Sequence, residues 1–278
     1  MNNTVAIQGF VGSFHHIAAR NYLGKDIEVI PCSTFSEVIK TASNKNISNG
    51  GFMAIENSIA GSILPNYALL EKSKLSISGE IYLHINQHLM VNKGVKLDDI
   101  KEVYSHPMAF LQCIDFLERY PHWKLIEKED TASSAKFIHQ YRHKHAAAIA
   151  GNLAAELYEL KIIRPNIQTH KNNYTRFLFL QRENNNHEAQ EVNKASISFQ
   201  TDHSKGALAK VLTKIASDNI NLSKLQSIPV PDQEWKYIFH ADMEFDSLQD
   251  FNTAIDHIRP GINDLKIFGV YKKGKTVI

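Results

Sequence analysis

Short apolar runs, each closed by a polar turn and followed by a helical repeat, recur along the first two thirds of the chain. Thr4 to Gln8 is a β-type run, followed by the turn Gly9-Phe10-Val11-Gly12-Ser13 and a helical pattern through Ala18, Ala19 and Leu23. Ile27 to Pro31 repeats the strand signal, and Ser33 or Thr34 caps a helix carrying Phe35, Val38 and Ile39. Gly51-Phe52-Met53-Ala54-Ile55 is apolar throughout and too short for a helix, the pattern of a strand buried on both faces. It ends in Glu56-Asn57-Ser58, and Gly61 permits a turn before the next helix. Ile77 to Val91 alternates over a long span and reads as an extended segment crossing between lobes. Val103-Tyr104, Lys124 to Ile126 and Ala146 to Ala150 are further strands, each leading into a helix. One of these helices opens at Asp130-Thr131-Ala132-Ser133-Ser134, a run of cap residues and hydroxyls. Tyr174 to Leu180 closes the series as a strand that is apolar, aromatic or β-branched apart from Arg176, fed by the asparagine pair Asn172-Asn173.

Alternating βα units predict an α/β domain over residues 1–183, with two lobes in the manner of periplasmic binding proteins. Open α/β sheets place ligand groups at the polar ends of their strands. Here those ends are Ser13, Glu56-Asn57-Ser58, His106, Thr131-Ala132-Ser133 and Asn173 to Arg176. Thr175 and Arg176 are adjacent, so a regular strand points them to opposite faces. Residues 184–194 are polar, lack aromatics and read as a linker. Residues 195–278 follow the order βαββαβ, an α+β ferredoxin-like unit.

Composition narrows the partners. The chain has 278 residues, 43% hydrophobic and 22% charged, an ordinary globular balance with room for one large or two ordinary domains. Its net charge of +2 comes without a basic, aromatic-interleaved stripe, so no nucleic-acid partner is expected. Cys32 and Cys113 lie far apart without a CxxC pair, which suits a reducing compartment. No apolar stretch approaches the ~18 residues of a membrane span, and the N-terminal residues carry no basic leader, so the cytoplasm is the expected location, with no membrane partner. Among 14 histidines, His139, His143 and His145 are the densest group. No carboxylate or cysteine stands beside them at ligand spacing, and no metal is expected.

Taken together, the spaced motifs resemble prephenate dehydratase followed by an ACT regulatory domain, over nearly the whole chain. Glu56-Asn57-Ser58 with Gly61, Ser105-His106-Pro107 with Gln112-Cys113, Thr131-Ala132-Ser133, Ala148-Ile149-Ala150 and Asn173-Tyr174-Thr175-Arg176-Phe177 fall in that family's order. Gly206-Ala207-Leu208 is similar to the motif with which ACT domains of this family bind phenylalanine. Asn221 to Pro229 aligns with the second effector motif, with Gln226 and Ile228 in place of its glutamate and arginine beside Leu222 and Ser227. Phe10, Val11 and His15 stand where the family commonly has proline, an acid and serine.

The resemblance implies decarboxylative dehydration of prephenate to phenylpyruvate, water and carbon dioxide, with phenylalanine as feedback effector, no cofactor, and a homodimer or homotetramer. Prephenate carries two carboxylates, a ketone and a ring hydroxyl, so the site needs a proton donor for the leaving hydroxyl and partners for the carboxylates. Thr175 is the expected donor, since a neutral hydroxyl adds no charge beside a dianion, and Arg176 the expected carboxylate partner. Ser13, Asn57, Ser58, Thr131, Ala132, Ser133 and Asn173 would complete the cradle, Glu56 would orient donors, and Phe177 would pack. His106 would relay protons or anchor its turn. The alternatives are action on arogenate, the aminated analogue, and a non-catalytic sensor of amino acids or small anions.

Overall fold

The polar turns do separate strands from helices. The computed structural model describes residues 3–182, 192–230 and 233–277. It divides into one unit of Met1–Ser73, Ile81–Phe177 and Thr276–Ile278 and another of Lys74–Glu80 and Leu178–Lys275. The chain begins β1 (Thr4–Gln8), α1 (Phe14–Leu23), β2 (Glu28–Cys32), α2 (Phe35–Ala42), β3 (Gly51–Asn57), β4 (Gly61–Ser62), α3 (Leu64–Lys72) and β5 (Ser76–His84). It continues with β6 (His88–Val91), β7 (Glu102–Ser105), α4 (Pro107–Gln112), α5 (Ile114–Leu117), β8 (Lys124–Glu127), α6 (Thr131–Gln140), β9 (Ala146–Ala150), α7 (Asn152–Leu157), β10 (Lys161–Arg164) and β11 (Tyr174–Gln181). The remaining elements are β12 (Lys194–Gln200), α8 (Ala207–Ser217), β13 (Asn221–Pro229), β14 (Tyr237–Glu244), α9 (Leu248–Ile258), β15 (Asn263–Tyr271) and β16 (Thr276–Val277).

The first unit holds two sheets, hence two lobes. One runs β16-β5-β11-β3-β1-β2 with β4 beside β3, and the other β10-β6-β9-β7-β8. β1 is parallel to both β2 and β3, so the turns after β1 and β3 leave from the same edge of their sheet. β3 is internal, and its residues from Gly51 to Ile55 are all buried, which explains why it reads as a solid apolar run. A Cβ on Gly51 would meet Val38 Cγ1 at 2.9 Å and Ala42 Cβ at 3.1 Å, so glycine is what lets α2 lie against the strand. β9 solves the same problem with alanine: Ala146, Ala148 and Ala150 pack with Ala132, Ala135 and Ala154, while Ala147 and Ile149 pack with Ala109, Phe110 and Cys113. Small side chains on both faces bring helices close to the middle of the sheet.

The second unit has a four-stranded antiparallel sheet, β13-β14-β12-β15, in the chain order βαββαβ. Ala195, Ile197 and Phe199 of β12 pack in one core with Val211, Ile215, Phe251 and Ile255 of the helices. The alternate residues Lys194, Ser196 and Ser198 are polar, yet also buried. Ser196 Oγ bonds Asp242 Oδ1 and lies 2.6 Å from Tyr271 Oη, while Lys194 Nζ lies 3.0 Å from Glu80 Oε1. Glu80 belongs to the segment 74–80, which the sequence pattern does not assign to this unit. A Cβ on Gly269 would sit 2.1 Å from Ile77 O, so only glycine admits that segment here.

Several expectations change. The span from Ile77 to Val91 breaks around Ile85 to Gln87 into β5 and β6, which enter different sheets. β10 and β16 are additional strands; β16 pairs in parallel with β5 through Thr276↔Tyr82 and Val277↔Leu83. Residues 183–191 of the expected linker region lie outside the described residues, as do Pro231 and Asp232 of the expected turn. Lys194, expected to end the linker, is instead the first residue of β12 and only 1% exposed.

Candidate functional site

The site is built on the start of β11 and the end of β3. Asn57 Oδ1 accepts from the N–H groups of Ile59 at 3.0 Å and Ala60 at 2.9 Å, which fixes the orientation of its amide. Its Nδ2 therefore faces Asn173 Oδ1 at 2.7 Å, Thr175 Oγ1 at 3.0 Å and Tyr174 O at 3.1 Å. Thr175 Oγ1 accepts from Asn57 and keeps its own proton for another acceptor. Ser58 pins the same turn, donating to Asn172 O at 3.3 Å and accepting from Tyr174 N–H at 2.9 Å. Asn173 is fully buried, and its Nδ2 has no partner among the described residues.

Thr175 and Phe177 line a cavity of about 200 Å³ between the lobes of the first unit, together with Gln8, Ser13 and His15 from the first βα turn. Ile85 and Gln87, His106 and Gln112, and Asp130 and Thr131 supply other walls. Thus Ser13, His106, Thr131, Thr175 and Phe177, all expected from the sequence, meet at one place. Arg176 does not line it. The pleat sends it to the other face of β11, where it is 4% exposed with its guanidinium carbon 6.0 Å from the Tyr82 ring centroid. Glu56 pairs across to Ser62 on β4, while Ala132 and Ser133 serve the cap of α6 through N–H bonds of 2.7 and 2.9 Å to Asp130 Oδ1. Neither Asn57, Asn173 nor Ser58 lines the cavity; they act on Thr175 and its turn.

No lysine or arginine lines this cavity among the described residues while the carboxyl residues Glu129 and Asp130 do, so an anion bound there relies on N–H groups, hydroxyls and helix ends. α1 and α6, each of 10 residues, are capped at their N-termini by the cavity residues Ser13 and Asp130. Ser13 Oγ accepts from His16 N–H at 3.4 Å and so retains its own proton. His106 caps α4, its Nδ1 accepting from Met108 N–H at 3.1 Å, which leaves the ring proton on Nε2. Burial lowers the His106 pKa against a weaker upward pull from Glu127. Burial raises Asp130 to about 6, against N–H bonds from Ser133, Ala132 and Phe10, with the Glu129 charge adding to the rise.

Gln87, Gln112, Gln8, Asp130 and His15 belong to the cavity but not to the expected ligand set. Gln112 and Asp130 stand inside or beside the recognised motifs; Gln87 lies in a stretch that reads only as strand. His15 is 8% exposed, its Nε2 accepting from Ala54 N–H at 3.3 Å and its ring edge-on to Phe177 at 4.8 Å. Burial lowers its pKa to about 3, so the folded protein holds it neutral where the unfolded chain would be protonated below about 6.5. Its contribution to stability is complete above the unfolded value and is lost as pH falls through the window from about 6.5 to about 3. His15→Gln keeps an acceptor but no titration, and should show a shallower loss of thermal stability between pH 7 and pH 5 than the parent; identical slopes would discount His15.

The three clustered histidines have separate partners: His139 is 6.4 Å from the Tyr158 ring, His143 stacks on Phe137, and His145 Nδ1 is 3.1 Å from Asp99 O. Among the described residues no three His, Cys, Asp or Glu side chains are placed to hold a metal together, and no helix is long and apolar enough to cross a membrane. In the second unit Gly206 caps α8 with φ +78°, Ala207 and Leu208 form its first turn, and Asn221 and Leu222 begin β13. Gln226 Nε2 donates to Ser227 O at 2.9 Å.

Residues 5–185 match the model of the prephenate dehydratase family. A bifunctional chorismate mutase/prephenate dehydratase from Enterobacter agglomerans is 32% identical over 98% of this chain and 71% of its own length. Arogenate dehydratase 2 of Petunia hybrida is 34% identical over 96% of this chain and 71% of its own. Among solved structures, the prephenate dehydratase of Staphylococcus aureus superposes with a TM-score of 0.82 at 28% identity, covering 97% of this chain and 100% of that one. GqqA, described as a novel type of quorum quenching acylase, gives 0.87 at 26% identity over 97% and 98%. With the match spanning the whole cavity-bearing region, from the first βα turn through Thr175 and Phe177, the chain belongs to the prephenate dehydratase family.

Proposed function

We propose that this protein converts prephenate to phenylpyruvate, water and carbon dioxide, with Thr175 as donor to the departing ring hydroxyl. The observation that carries the assignment is the Asn57 amide, which occupies a lone pair of Thr175 Oγ1 and leaves the hydroxyl proton available in the cavity. In the reaction the ring C–O bond breaks with its electrons on oxygen, and the ring C–carboxylate bond gives its pair to the aromatising ring. The hydroxide takes a proton and leaves as water, so one proton per turnover enters from solvent. Ser13 and Thr131, beside the N-terminal ends of α1 and α6, would meet the carboxylates in the role expected of Arg176. Asn173 Nδ2, buried and unpartnered among the described residues, is a further donor behind Thr175. Acyl transfer would instead need a base accepting from the Thr175 hydroxyl, whereas the hydrogen bond made to Oγ1 is a donated one.

Arogenate is the second reading. Glu129 and Asp130 line a cavity without a cationic side chain among the described residues, an arrangement that suits an ammonium group, and the petunia relative is named for that activity. The βαββαβ unit reads as a ferredoxin-like ACT domain. The N-terminus of α8 has no side-chain cap and would receive the phenylalanine carboxylate beside Gly206 to Leu208, whereas Asn221 and Leu222 begin β13 just after the other end of that helix, with Gln226 and Ser227 further along the strand. β13 forms an edge of its sheet, which suits pairing with a second copy in a homodimer or homotetramer. Incubating the full chain with prephenate and, separately, arogenate, with and without L-phenylalanine, tests these readings together. Phenylpyruvate is expected from prephenate, in lower yield when L-phenylalanine is present. Folded protein that leaves prephenate unchanged would overturn the assignment, and insensitivity to L-phenylalanine would overturn only the effector reading.

A further inference from the structure

Gln87 follows β5 and is 2% exposed. Its main chain is clamped on both sides: the N–H donates to Gln168 Oε1 at 3.0 Å, and the carbonyl accepts from Ile167 N–H at 2.8 Å. Gln168 is itself held, its Nε2 donating to Asn86 Oδ1 at 2.9 Å. The Gln87 side chain lines the same cavity as Thr175, and its Nε2 donates to Gln112 Oε1 at 3.1 Å. That leaves Oε1, a buried acceptor with no hydrogen-bond partner among the described residues. A buried acceptor without a donor is a standing cost to the fold that a ligand donor can relieve.

The chemistry of the substrate selects the donor. At neutral pH the two carboxylates and the ketone of prephenate only accept; its ring hydroxyl alone donates. We propose that Gln87 Oε1 accepts the proton of that ring hydroxyl and thereby turns a lone pair of the leaving oxygen toward Thr175. The inference rests on the dehydratase reading and adds to it a positioning contact on the leaving group. Gln112 acts through Gln87, since its Oε1 accepts from the Gln87 amide nitrogen and so fixes which end of that amide is left without a donor. Phenylpyruvate has lost the hydroxyl, so the contact belongs to substrate and transition state and not to product.

That difference gives the test. Gln87→Met has nearly the same shape without an acceptor and should lower kcat/KM for prephenate about tenfold, the effect of one neutral hydrogen bond. Inhibition by added phenylpyruvate should stay within about twofold of the parent. Gln87→His, whose neutral ring keeps one donor and one acceptor, should recover part of the loss and serves equally if the methionine variant does not fold. Unchanged turnover of Gln87→Met would overturn the proposal. So would an equal loss of phenylpyruvate affinity, which would mark a structural role, or a loss confined to arogenate, which would mark an ammonium contact. Failure of the parent protein to consume prephenate would instead reject the dehydratase reading itself.

Discussion

Replacing Thr175 by alanine is expected to lower kcat on prephenate by roughly two to four orders of magnitude, the range for removing a positioned proton donor, with little change in KM. The hydroxyl's surroundings are what make the prediction sharp. Backbone N–H groups of Ile59 and Ala60 hold Asn57 Oδ1, so the amide cannot turn its oxygen toward Thr175. In the alanine variant Asn57 Nδ2 still reaches Asn173 Oδ1 at 2.7 Å and Tyr174 O at 3.1 Å, so the turn stays hydrogen-bonded and the fold should survive. Thr175→Ser keeps the hydroxyl and should retain most activity, whereas Thr175→Val keeps the shape and should not. Steady-state kinetics on the three variants, with circular dichroism as a check on folding, would reject the donor role if the valine and serine enzymes turned over alike.

The sequence carries most of this site because its chemistry sits where strands end. Ser13, His106 and Thr131 each follow a recognisable strand and Thr175 stands at the start of one, and all four line one cavity. Arg176 shows where pattern reading stops. Adjacent residues of a strand take opposite faces, and only the neighbouring strands decide which face is the cavity; here it belongs to Thr175 and Phe177. Gln87 was invisible for another reason. It occupies a break between β5 and β6 that alternation alone does not mark, and what distinguishes it is an unmade hydrogen bond. The division into units is harder still, since residues 74–80 precede Leu178 by about a hundred positions and join its unit through contacts that local sequence does not announce.

Lys194 makes that last point testable, and its loss should be the most damaging single change in the second unit. A lysine at the end of a polar run reads as solvated, yet its side chain is 1% exposed and meets Glu80, whose side chain is fully buried. Nζ lies 3.0 and 3.2 Å from the two Glu80 oxygens and 3.8 Å from Glu244 Oε1. Gly274 N–H adds a bond of 3.0 Å to Glu80 Oε1, and Lys273 reaches Glu244 Oε2 at 2.8 Å. Burial alone would raise the Glu244 pKa, but hydrogen bonds from Lys273 and Ser223 and the charges of Lys194 and Lys273 bring it below the usual value. Lys194→Met would strand the Glu80 carboxylate in the interior, at a cost of about 3–5 kcal/mol. For a unit of this size that corresponds to a fall of roughly 10 °C or more in its thermal midpoint. Pairing it with Glu80→Gln removes the stranded charge and should return much of the loss, because the desolvation of two ions offsets most of their attraction. Thermal and urea unfolding of the two single variants and the double variant would decide it. Additive losses would mean that Lys194 and Glu80 stabilise the unit independently, and that the anchoring of residues 74–80 comes from the close approach of Ile77 to Gly269 instead of from charge.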